Sequence, residues 1–218
     1  MELFDIHTHQ ISEKRKNNSN YSCILDISPL KYEEAKDMYI NQSFSSAIHP
    51  WKADDSEIQF THLLRIASDK RIVAIGETGL DKIKGPSLDI QTKLFKQHIA
   101  LSEKLEKPLI IHAVKAWQQL YHIRKNAQPT QPWIIHGFRG NPQITQQMAR
   151  VGYMFSIGEK FNANSVEFIP KDSLFCETDE STIDIGKVYQ QVADALNKDI
   201  EEIANQISEN VRRVFRLL

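Results

Sequence analysis

Short apolar runs rich in β-branched residues recur along the chain. They are Leu3–Ile6, Cys23–Leu25, Phe44–Ile48, Ile72–Ile75, Leu109–Ile111, Trp133–Ile135, Tyr153–Ile157 and Leu174–Cys176. Most are continuous rather than alternating, which predicts eight strands covered on both faces. Helical periods lie between several of them. From Leu88 to Glu106, residues Ile90, Leu94, Leu101 and Leu105 keep helical spacing. From Asp199, residues Ile200, Ile203, Ala204 and Ile207 share one face, and Asp199 and Glu202 have capping-box spacing. Strands alternating with helices predict βαβ units and a parallel sheet.

Eight such units in 218 residues suit a compact α/β fold, the (β/α)8 TIM barrel, as a single domain over residues 1–218. The stretch from Ile11 to Tyr21 is polar and aperiodic, so a loop is expected in place of the first helix. Alternation alone does not show closure, and a doubly wound open sheet remains the alternative. Eight glycines and eight prolines are few for a loop-rich all-β protein. The two cysteines exclude a disulfide scaffold, and Cys23 and Cys176 read as small core residues. No apolar run approaches the roughly 20 residues of a membrane span. The start, MELFDIHTHQ, has no leader pattern, so a cytoplasmic location and no membrane partner are expected. A net charge of -1 excludes a broad basic surface for duplex binding, though not a local nucleic-acid site.

The strands place the chemistry. Asp5-Ile6-His7-Thr8-His9 follows the first apolar run, Gly76-Glu77-Thr78-Gly79-Leu80-Asp81 the fourth, His112 the fifth, His136 the sixth and Glu177-Thr178-Asp179 the eighth. These are C-terminal strand ends, where a barrel enzyme builds its site. His7 and His9 fall on one side of an extended strand, because side-chain direction repeats every two residues. Alone, His-x-His also fits a structural pair, Glu77 also fits a turn cap, and Asp179 also fits the N-cap of a helix starting near Thr182. Together, four histidines, a glutamate and an aspartate fit a binuclear site for zinc, manganese or magnesium. Two such ions activate a water and clamp the oxygens of a hydrolysed ester.

His49, in Ala47-Ile48-His49-Pro50-Trp51, faces the same end and is a candidate substrate contact. His62, His98 and His122 lie in helical stretches, and His98 shares the apolar face of Leu94 and Leu101 as a packed structural residue. Lys115 and Arg139 each lie three residues past a candidate ligand, as candidate phosphate contacts. Lys14, Arg15 and Lys16 in the first loop can guide an anionic strand. No serine or cysteine stands beside a histidine as a nucleophile, and no phosphate-binding glycine loop is present.

These segments resemble the TatD family of metal-dependent hydrolases, described as TatD-type deoxyribonucleases. DIHTH, AIHP, GETGLD, PLIIHAVKAW, HGFRG, CETD and SENVRRVF are each similar to a family block, over almost the whole chain. The resemblance implies a TIM barrel and metal ligands at His7, His9, Glu77, His112, His136 and Asp179. It implies two divalent ions, with His7, His9 and Asp179 on one, His112 and His136 on the other, and Glu77 bridging. Asp179 and Glu77 are the implied catalytic residues, and the implied reaction is exonuclease-like hydrolysis of DNA phosphodiesters by a metal-activated water. The chain differs from the family at His112-Ala113-Val114-Lys115, where His-Ser-Arg-Asp is common, and at Arg139, where Ser is common. Hydrolysis of another phosphoester, carboxyl ester or amide, and a non-catalytic metal-binding barrel, stand as alternatives. A monomer is the expected state.

Overall fold

The computed structural model describes residues 1–11 and 20–217. Among these, the strands are β1 Leu3–Thr8, β2 Tyr21–Asp26, β3 Ser43–Ser45, β4 Ile72–Asp81, β5 Leu109–Val114, β6 Trp133–Ile135, β7 Tyr153–Ile157 and β8 Leu174–Cys176. They form one eight-stranded sheet in sequence order. The helices are α1 Tyr32–Met38, α2 Glu57–Ile66, α3 Leu88–Leu105, α4 Trp117–Ala127, α5 Pro142–Arg150, α6 Ala163–Val166, α7 Ile185–Leu196 and α8 Ile200–Phe215. Each strand from β2 onward is therefore followed by a helix, as the apolar pattern predicts. The pairs β1–β2, β3–β4, β4–β5 and β7–β8 are parallel. The end of β8 also meets β1: Asp179 N donates to the His7 carbonyl at 2.9 Å, and His9 N donates to the Asp179 carbonyl at 3.2 Å. Sequence order with the last strand meeting the first is the (β/α)8 barrel, and the open-sheet alternative is set aside. The expectation of a loop in place of the first helix, with Lys14, Arg15 and Lys16, falls on residues 12–19, outside the described residues.

Two compact units make up the chain: Met1–Leu25 with Ile135–Leu218, and Asp26–Ile134. In the first, Ile6, Ile135, Phe155, Phe175 and Cys176 are buried, and α7 and α8 bury Val188, Tyr189, Ile207 and Val211. Asn141 and Asp184 cap α5 and α7 by accepting the amides of Ile144 and Gly186. Asp199 caps α8 through the Glu201 amide, while Glu202 pairs with Lys198 rather than reaching back to the cap. In the second unit, Ile72, Ala74, Ile75 and Leu109–Ile111 are buried. Helix α3 covers them with Gln91, Leu94, Phe95, His98, Leu101 and Ser102, at the i, i+3, i+4, i+7 spacing of an apolar stripe.

Two strand limits differ from the apolar runs. β3 ends at Ser45 rather than Ile48, because the Ile48 amide is taken by the His98 side chain, at 3.2 Å. β4 continues past Ile75 to Asp81, because its polar half pairs with β5 from Thr78↔Ile111 to Asp81↔Val114.

His98 is fully buried, as its place in the apolar stripe predicts. Its Nε2 accepts the Ile48 amide, so Nδ1 carries the proton and faces Thr78 Oγ1 at 2.8 Å. Burial pushes its pKa down to about 3, against a smaller opposing effect of the Leu94 backbone. Below about pH 6.5 the unfolded chain binds a proton here that the folded chain refuses. Stability is therefore full above that pH and falls by up to about 1.4 kcal/mol per pH unit on acidification. His98→Gln removes this dependence. The gap in urea-unfolding free energy between wild type and variant is expected to narrow by about that slope from pH 6.5 to pH 5. A pH-independent gap would sink the assignment.

Candidate metal centre

In the first unit, His7 lies in β1 and His9 one residue past its end. Asp179 lies three residues beyond β8, in a left-handed conformation with φ 54°. Asp5 ties these segments together. It accepts the Thr178 amide at 3.0 Å and the Thr178 hydroxyl at 2.6 Å, and Tyr21 OH donates to it at 3.1 Å. The result sets Asp179 Oδ1 at 3.4 Å from His9 Nε2 and 3.8 Å from His7 Nε2. His136 follows β6, its ring centroid 4.4 Å from that of His7. Its Nδ1 lies 3.3 Å from Glu177 Oε1, which also accepts the Gly137 amide at 2.6 Å. Burial raises the Asp179 carboxyl, but the hydrogen bond from His9 and the attraction of His136, His7 and His9 outweigh it, so its pKa is lowered. Asp179 does not cap a helix: α7 begins at Ile185 with Asp184 as its cap.

In the second unit, Glu77 lies inside β4 and His112 inside β5. Glu77 Oε1 is 2.7 Å from His112 Nδ1 and 3.2 Å from His49 Nε2, and these two nitrogens are 3.4 Å apart. His49 Nδ1 accepts the Trp51 amide at 3.2 Å, so in the neutral ring Nε2 is the N–H. With that proton on Nε2, His49 faces Glu77 as a donor. The other nitrogen of His112, Nε2, is 3.1 Å from Asp81 Oδ2. Burial raises the Asp81 carboxyl, but hydrogen bonds from the Trp51 indole, the Ile83 amide, His112 and the Lys84 amide prevail and hold it low.

The donor set fits a divalent ion. Zinc bonds to nitrogen and oxygen of about 2.0–2.2 Å place neighbouring ligand atoms roughly 3.0–3.6 Å apart. His7, His9 and Asp179 form one group of atoms close enough to share an ion, as do His136, Glu177 and Asp179; in the second unit His49, Glu77 and His112 do so. Glu177 Oε2 is moreover a fully buried carboxylate oxygen with no hydrogen-bond partner among the described residues, a position that favours a cation. A cavity of about 450 Å³ opens beside this first group, lined by Glu177, Asp179, Arg139, Lys160, Glu159 and Glu180 among others. Lys115 lies in the second unit, exposed just past β5.

All six ligand candidates therefore stand beside another side chain of their own unit that could share an ion with them. Asp81, Glu177, Trp51 and Lys160 carry no role from the sequence. Asp81 follows Glu77 by four and Asp179 follows Glu177 by two, so each pair has the even spacing of one strand face. That spacing is the one signal that could have marked Asp81 and Glu177. No local signal marks Trp51 or Lys160.

Comparison with known proteins places the chain in a family. The family model for TatD related DNase matches residues 4–216. The uncharacterized metal-dependent hydrolase YabD of Bacillus subtilis is 29% identical over 193 residues, 78% of this chain and 75% of that protein. The uncharacterized metal-dependent hydrolase TatD of Mycobacterium tuberculosis is 24% identical over 198 residues, 78% of this chain and 75% of that protein. In fold, the crystal structure of YJJV, a TatD homologue from Escherichia coli, superposes with a TM-score of 0.86 at 19% identity, covering 99% of this chain and 98% of its own. The match of the family model over residues 4–216 makes this protein a member of the TatD family of metal-dependent hydrolases.

Proposed function

We propose that the chain acts as one hydrolase domain on phosphodiester bonds, cleaving at the end of a DNA strand. The observation that carries this reading is the cavity beside Asp179. It joins candidate ligands to two cations, Arg139 and Lys160, and its volume of about 450 Å³ suits a nucleotide-sized group rather than a duplex. Glu159 and Glu180 in the same wall repel a second phosphate, which favours a terminal residue or a small phosphoester over a continuous backbone.

His7, His9, His136 and Asp179 of the first unit, with Glu77 and His112 of the second, are the proposed ligands of two divalent ions. When bound, such ions supply a water of lowered pKa and neutralise phosphate charge. Asp179, kept ionised, accepts the proton of the attacking water at Oδ2. Arg139 and Lys160 hold phosphate oxygens, and Lys115 is a further candidate cation. His49 presents an N–H that orients Glu77 Oε1 or a substrate oxygen.

The test is metal content together with turnover on labelled single-stranded DNA, a phosphomonoester and an aminoacyl ester. The expected result is stoichiometric divalent metal, DNA shortened from one end, loss of activity with chelator, and at least 100-fold lower turnover in His112→Ala. Equal activity in wild type and His112→Ala overturns the site. Turnover confined to the esters overturns the DNA reading, and bound metal without turnover on any substrate points to a binding protein.

A further inference from the structure

One carboxylate outside the proposed ligands is held at both of its oxygens. Asp81 Oδ1 accepts the amides of Ile83 at 2.7 Å and Lys84 at 3.0 Å. Its Oδ2 accepts the Trp51 indole at 2.6 Å and lies 3.1 Å from His112 Nε2. Buried Gln91 fixes the backbone of the same residue, accepting the Asp81 amide at 2.7 Å and donating to its carbonyl at 2.9 Å. His112 stands between two carboxylates, with Nε2 toward Asp81 and Nδ1 2.7 Å from Glu77 Oε1. An ionised carboxylate only accepts hydrogen bonds, and a neutral imidazole has one proton, so the ring donates to one of the two and meets the other with its lone pair. An ion held by Glu77 would take the Nδ1 lone pair and leave the proton on Nε2, facing Asp81.

We infer that Asp81 is a positioning residue for His112: it keeps the proton on Nε2 and presents Nδ1 as the ligand nitrogen, with Trp51 holding Asp81 in place. This rests on the reading of His112 as a metal ligand. Carboxylates behind ligating histidines act in this way generally, and their loss weakens metal binding by about 10–100-fold. Trp51 is 40% exposed yet has Lys84 Nζ 3.3 Å from its ring centre and the His49 ring centre 4.4 Å away in a T-shaped contact. Its indole N–H is the part spent on Asp81.

Asp81→Asn tests the inference. The two backbone donors keep the amide oxygen on their side, so the NH2 turns to His112 Nε2 and draws that nitrogen into the acceptor role. The proton then moves to Nδ1, the proposed ligand atom. Zn2+ affinity is read by competition with a chromophoric chelator. The His112 tautomer is read from ring nitrogen shifts in histidine-labelled Zn2+-loaded protein, assigned by their loss in His112→Gln. The expected result is Nε2–H in wild type, loss of that signature in Asp81→Asn, and about 10–100-fold weaker Zn2+ binding. Trp51→Phe keeps the aromatic ring but not the donor, and is expected to weaken binding by a smaller factor. It carries the test if Asp81→Asn fails to fold.

Wild-type affinity in both variants, with an unchanged His112 tautomer, overturns the inference. His112→Ala separates the two levels. If it binds Zn2+ as wild type does, His112 is not a ligand. If it loses Zn2+ while Asp81→Asn and Trp51→Phe do not, the positioning role alone is wrong.

Discussion

Asp179→Asn is expected to lower kcat by about 10²–10⁴-fold at saturating metal, with little change in KM. Asparagine is the right replacement because Asp179 sits at φ 54°. Asn and Asp are the non-glycine residues that tolerate this left-handed region best, so the turn that follows β8 is preserved. The backbone bonds that lock it to β1, Asp179 N to the His7 carbonyl and His9 N to the Asp179 carbonyl, do not involve the side chain. What is lost is the negative charge facing His7 and His9, and with it the proposed proton acceptor. Alanine would mix this loss with backbone strain. The check is steady-state kinetics with metal titrated to saturation, alongside a thermal melt that should match wild type. A kcat within threefold of wild type would remove Asp179 from the chemistry.

The strands were legible because parallel strands are buried on both faces and so read as continuous apolar runs. Leu109–Ile111 and Trp133–Ile135 are such runs, and all six residues are buried. The polar half of β4 was not legible. Gly76, Glu77 and Gly79 have low strand propensity, and the segment extends because β5 offers partners through Val114. The ligand candidates were visible as residue types at the ends of apolar runs, and the resemblance to a known family named them. Their supports were not visible, because their partners are distant in sequence. His112 meets Asp81 across 31 positions, and His136 meets Glu177 across 41. The tautomers of His49 and His112 depend on such contacts and on one backbone amide, so no composition or spacing could have shown them. His98 was readable as structural from its place in the α3 stripe, but its bond to the Ile48 amide, which ends β3, was not.

Gly79→Ala should be the most destabilising of the single changes considered. Gly79 pairs with His112 between β4 and β5. Its φ of 144° lies where side-chain-bearing residues rarely go. A Cβ there would sit 2.1 Å from the His112 carbonyl oxygen and 3.0 Å from its carbonyl carbon and amide nitrogen. These are backbone atoms, so no side-chain rotation relieves the overlap. Either β4 turns away from its required φ or β5 moves off β4. The cost is expected to be about 4 kcal/mol or more, the range of severe backbone and packing lesions. For a chain of this size that is a drop in Tm of roughly 8–16 °C. The same displacement parts Glu77 on β4 from His112 on β5, so bound metal should fall with stability. Gly158→Ala is the control. Gly158 lines the cavity beside Asp179, but the nearest atom to a Cβ there is Glu177 Cγ at 3.7 Å, an ordinary contact. Its stability should stay within about 0.5 kcal/mol of wild type. Calorimetry on both variants decides the matter. A Gly79→Ala protein melting within 3 °C of wild type would mean that the close passage of β4 against β5 is not what holds Glu77 and His112 together.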